Sequence, residues 1–92
     1  MPVYTEEFIK SEVKRVVAEV TEREVEEIGD AMDYREELGV DSLTALEIMF
    51  DVDRKFGIEV PDEEYQQLKN VNETVALIIK YLPADKKSTE AA

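Results

Sequence analysis

Apolar positions along the chain fall into three stripes at helical spacing, separated by short polar or turn-forming breaks. Ile9, Val13, Val16, Val17 and Val20 define the first stripe, which predicts a helix from Thr5 to Val20. Thr5 is its expected N-cap, with Glu6 and Glu7 in the first turn. Valine is a mediocre helix former, so this helix depends on packing more than on propensity. From Thr21 to Val40 the periodicity lapses. Val25, Ile28, Met32, Tyr34 and Leu38 still recur, which predicts a long connection packed against the core.

A second helix is predicted from Ser42 to Phe56, stopped by Gly57. Pro61 and Asp62 then open a short third helix running to about Leu68. The last begins near Asn72 and ends at Leu82, before Pro83, with Val71, Val75, Ile78, Ile79 and Leu82 as its stripe. These elements predict an all-α fold, a small four-helix bundle with a long first loop and a short third helix. Residues 1–82 form the expected domain and residues 83–92 a polar, disordered tail.

The second helix differs from the others in carrying two apolar arcs. At about 100° per residue, Ala45, Ile48, Met49, Val52 and Phe56 share one arc and supply the core stripe. Leu43, Leu46 and Phe50 lie on a second arc, bordered by Asp53 on one side and by Glu47 and Asp51 on the other. Core burial needs one stripe, so the second reads as a contact surface with an acidic rim. The competing explanation is that Leu46 and Phe50 pack beneath the loop or the third helix.

Charge sharpens this picture. The net charge is −12, and it is concentrated: residues 19–37 carry −7 and residues 41–64 carry −6. Such a field repels nucleic acid and anionic lipid and attracts basic protein patches. The longest purely apolar run, Val75 to Ile79, is far too short to insert into a membrane. No basic segment followed by an apolar core opens the chain, and cysteine is absent, so a cytoplasmic setting is expected.

The chain also lacks histidine. Nucleophilic catalysis by a Ser-His or Cys-His pair is excluded, as is a Cys/His zinc site. Asp51 to Asp62 has the length of a calcium loop, but its glycine is one place late and Lys55 occupies a ligand position. Any reactive group must therefore be attached. Ser42, at the start of the second helix, is the candidate: free N–H groups and the helix dipole favour a phosphate there, although Asp41 opposes it. The plain alternative is that Ser42 only caps the helix.

Gly39-Val40-Asp41-Ser42-Leu43, followed by Glu47, Phe56, Ile58 and Val60-Pro61-Asp62-Glu63, closely resembles the acyl carrier protein family over roughly residues 5–82. The resemblance implies a 4′-phosphopantetheine arm, derived from coenzyme A, on Ser42 between Asp41 and Leu43, with acyl groups held as thioesters. It implies a monomeric, non-enzymatic carrier loaded by a phosphopantetheinyl transferase. Leu43, Leu46, Glu47, Phe50 and Asp53 would meet ketosynthase, acyl-transferring and other enzymes through basic docking patches. Arg54 and Lys55 depart from the acids common in fatty-acid carriers. Tyr65 stands where many members have a small residue, which implies a narrowed acyl pocket. Pro61-Asp62-Glu63-Glu64 resembles fatty-acid carriers, whereas Asp41-Ser42-Leu43-Thr44-Ala45-Leu46-Glu47 also resembles polyketide carriers. A peptidyl or aminoacyl carrier, or an unmodified acidic interaction module, remain the alternatives.

Overall fold

Helix α1 spans Glu6–Thr21, α2 Ser42–Phe56, α3 Asp62–Gln66 and α4 Val71–Tyr81, with 3-10 turns at Val25–Glu27 and Ala84–Lys86. The computed structural model describes residues 4–86. Its described residues form an all-α bundle in which α1 packs on both α2 and α4, and α3 packs on α2.

Local chemistry sets the helix ends. Thr5 caps α1 by accepting from the Phe8 N–H at 3.1 Å, and Asn70 caps α4 by accepting from the Glu73 N–H at 2.9 Å. Gly57 closes α2 with φ 67, the left-handed conformation in which a side chain is strained, and donates to the Asp53 carbonyl. Helix α3 is shorter than the spacing suggests: it ends at Gln66, and Leu68 donates to the Tyr65 carbonyl from outside it. The core joins the inner stripes of α1, α2 and α4, with Ile9, Val13, Val17, Val52, Val71 and Ile78 almost wholly enclosed. Close packing of these branched side chains supplies the support that α1 lacks in propensity.

The long loop is fastened at several points. Lys10 and Lys14 of α1 both pair with Asp30, the former at 2.9 Å. The Asp30 carbonyl accepts from Asn72 N–H, and Tyr34 N–H donates to the Lys69 carbonyl at 2.8 Å. Ile28, Tyr34 and Leu38 are buried and Met32 half-buried, as their recurrence predicts, and Val40 is buried as well. Val25 is the exception. It is 41% exposed, because the chain turns inward only at Ile28, where the backbone leaves the 3-10 turn and becomes extended.

Past Pro83 the chain does not leave the bundle at once. Ala84–Lys86 form a turn, and the Lys86 carbonyl accepts from the Tyr4 N–H at 2.9 Å. Residues 87–92 of the expected tail lie outside the described residues.

Candidate functional site

The segment leading into α2 is built around Asp41. Val40 is buried, Gly39 before it takes φ 69, and Asp41 is extended. This directs the Asp41 carboxylate over the helix start, where Oδ1 accepts from the Thr44 N–H at 2.9 Å. That bond holds the Asp41 pKa below the ordinary aspartate value. Asp41, not Ser42, is therefore the N-cap. Ser42 becomes the first helical residue, exposed, and among the described residues its hydroxyl has no hydrogen-bond partner.

The outer arc of α2 stands largely in solvent. Leu43 is 68% and Phe50 58% exposed, Leu46 is half-buried between the two arcs, and Glu47 is exposed. The alternative in which Phe50 packs under the loop or α3 does not hold in this structure. Asp53, half-buried at the edge, accepts from the Tyr65 hydroxyl at 2.9 Å. Desolvation raises its pKa despite that bond. The inner arc is core: Ile48, Met49, Val52 and Phe56 are buried and Ala45 is half-buried.

The two cations at the end of α2 are engaged within the fold. Lys55 reaches the Glu12 carboxylate of α1 at 3.0 Å, and Arg54 turns back to Asp51 at 3.0 Å. Glu12 is a buried acid within the α1 face, also 3.4 Å from Arg15.

Two small cavities lie near the start of α2. One, about 60 Å³, is lined by Ser42, Ala45, Leu46, Met49 and Tyr65, with Arg35, Asp62 and Gln66. The other, about 20 Å³, is lined by Tyr34, Val40, Ala45, Ile48, Tyr65 and Thr74 among others. A larger surface groove of about 560 Å³ lies at the opposite end of α2, lined by Arg15, Arg23, Arg54 and Lys55 among others. It is remote from Ser42, and most of its cations are already paired. Among the described residues no cluster of three acidic, His or Cys side chains could hold a metal, and no helix is long and apolar enough to cross a membrane.

The structure brings Asp41, Ser42 and the outer arc of α2 together, and it adds two features that no sequence pattern indicates, Arg35 beside Ser42 and the Tyr65–Asp53 bond. Arg35 comes from a loop whose path has no periodic signal. Its exposed position in an acidic segment gave no hint of proximity to Ser42.

The phosphopantetheine attachment site family matches residues 11–78. The chain is 39% identical over 70 residues to an acyl carrier protein of Rickettsia bellii, covering 76% of this chain and 86% of that one. It is 35% identical over 92 residues to the meromycolate extension acyl carrier protein of Mycobacterium tuberculosis, covering all of this chain and 76% of the relative. Among solved structures, the acyl carrier protein from Enterococcus faecalis superposes with a TM-score of 0.71 at 22% identity, over 85% of this chain and 99% of that one. Fold and sequence thus define a non-catalytic carrier with a phosphopantetheine attachment domain. The chain belongs to the acyl carrier protein family.

Proposed function

We propose that this chain carries acyl groups on a 4′-phosphopantetheine arm joined to Ser42 and presents them to enzymes of fatty-acid or polyketide assembly. One observation carries the reading. Because Asp41 takes the capping bond, Ser42 is exposed at the helix start with a hydroxyl free to be esterified. The residues present fit the group: the helix dipole would favour a phosphodiester at this position, and Arg35 lines the adjoining cavity. When bound, the arm supplies the thiol that the chain lacks, as a thioester-forming end.

The residues around Ser42 then divide the remaining tasks. Asp41 and the Gly39 turn fix the direction in which the serine points. Leu43, Leu46 and Phe50 give an apolar contact strip. Glu47 and Asp53, together with the net charge of −12, favour partners whose docking surfaces are rich in Arg and Lys, including the phosphopantetheinyl transferase.

The test is an intact mass before and after incubation with coenzyme A, magnesium and a phosphopantetheinyl transferase, alongside Ser42→Ala. The parent gains one phosphopantetheine group and the variant none. A parent that neither gains the group nor already bears it refutes the reading and leaves an unmodified acidic interaction module.

A further inference from the structure

Between Arg23 and Arg54 the chain holds eleven Asp and Glu residues and a single cation, Arg35. Carboxylates surround it, yet it enters none of the described ion pairs, whereas Arg15 and Arg54 each pair with an acid three residues away. The nearby acids are committed to the backbone instead. Asp33 Oδ1 accepts from the Arg35 and Glu36 N–H groups, each at 2.9 Å, and Glu37 closes the same turn by accepting from the Asp33 N–H at 3.0 Å. Asp41 is occupied by the Thr44 N–H. The turn itself is fastened on both sides of Arg35: Tyr34 is buried, its N–H donates to the Lys69 carbonyl, and its carbonyl accepts from the Val40 N–H at 2.8 Å. The fold therefore sets where Arg35 stands, and the place is beside Ser42, with which it lines one cavity. An exposed guanidinium without an ion pair, held next to a serine hydroxyl without a hydrogen bond, matches a phosphate in both charge and donor geometry.

Resting on the carrier reading above, we propose that Arg35 is a positioning residue for the phosphodiester on Ser42. Attachment adds a negative charge beside Asp41 in an already acidic region, and Arg35 is the cation that offsets it. Its fork of N–H donors holds the phosphate oxygens and so orients the first bonds of the arm.

The experiment is a cycle of attachment against substitution. Melting temperatures are measured for the apo and holo forms of the parent, Arg35→Gln, Arg35→Lys and Arg23→Gln, each loaded enzymatically and checked by intact mass. Arg23 serves as the control because it is exposed, has no described ion pair and lines the groove at the opposite end of α2. At about 0.01 M salt the change on attachment is less favourable in Arg35→Gln than in the parent by about 2–4 °C, and the gap closes near 1 M. Arg35→Lys keeps the charge and most of the parental response, and Arg23→Gln responds as the parent does. Phosphorus-31 NMR of the holo proteins reads the contact directly: the phosphodiester signal moves in Arg35→Gln and stays in place in Arg23→Gln. An attachment response equal in the parent and Arg35→Gln overturns the proposal, as does an unmoved phosphorus signal. A gap of the same size in Arg23→Gln overturns it too, since the effect then belongs to the overall field. A parent that never gains the group fails the carrier reading and this one with it, whereas a normal mass gain without coupling to Arg35 fails this one alone.

Discussion

Tyr34 and Thr74 share a buried hydrogen bond, 2.7 Å between hydroxyl oxygens, that ties the long loop to α4. Which oxygen donates is settled by geometry. Thr74 Oγ1 also lies 3.0 Å from the Asn70 carbonyl, which can only accept, so the threonine hydrogen is used there and Tyr34 is the donor. The two ends of the bond are therefore unequal. Tyr34→Phe removes a donor but leaves Thr74 bonded to Asn70, for a cost of about 1 kcal/mol. Thr74→Val keeps the shape and a similar helix propensity but strands a phenol hydroxyl away from water, for a cost of about 2 kcal/mol. The Asn70 carbonyl still accepts from the Thr74 backbone N–H at 3.1 Å, so no second group is orphaned. In the double variant no hydroxyl is stranded, and the total returns to about 1 kcal/mol, a coupling of about 2 kcal/mol. Urea unfolding with an unchanged m-value reads all three, and each kcal/mol corresponds to roughly 4–8 °C in melting temperature for a domain of this size. Tyr34→Phe costing more than Thr74→Val, or two single costs that simply add, would refute the assignment of donor and acceptor.

Carboxyl titration followed by carbon-13 NMR separates two aspartates. Asp30, held low first by Lys14 and then by Lys10, has its midpoint below 3.8, and desolvated Asp53 has its midpoint above it. Asp30 thus contributes stability at neutral pH that fades as pH falls from 3.8 through its lower folded value, whereas the raised Asp53 costs stability as pH rises from 3.8 through its higher folded value. The reverse order of midpoints contradicts the structure. Because the net charge is −12, the melting temperature at pH 7 should rise between about 0.01 M and 1 M salt, as the screening length falls from about 30 to 3 Å. A flat response would show that self-repulsion is unimportant. Leu43→Ser, at a position 68% exposed, should leave melting nearly unchanged and slow phosphopantetheine transfer. A variant that melts early but is modified at the parental rate would place Leu43 in the fold instead.

Helix α2 was legible in sequence because its signals are local: a serine at the opening turn and a glycine after the last. The expectation for α1 falls one residue short at its end, since Glu22 takes the left-handed cap conformation that only a glycine would have signalled. Ser42 read as a possible cap because serine and aspartate are nearly equal candidates, and only backbone geometry assigns the bond to Asp41. The Tyr65–Asp53 and Lys55–Glu12 contacts were not legible at all. Their partners are 12 and 43 positions apart and meet only through the packing angles of different helices, which no periodicity encodes.

Those distant contacts also decide which charges the outer face of α2 leaves exposed. Along the sequence, Arg54 and Lys55 interrupt an otherwise acidic run. In the fold, Lys55 is drawn toward α1 by Glu12, a carboxylate too buried to be left alone. Arg54 folds back on Asp51 of its own helix. The pairings offset Glu12 and Asp51 at the far end of α2, while Glu47 and Asp53 beside Leu46 and Phe50 face no cation among the described ion pairs. The carboxylates of α2 left without a cation among the described ion pairs, Glu47 and Asp53, thus border the outer arc. A sequence with two cations near the end of α2 can in this way keep an acidic border along the outer arc of that helix.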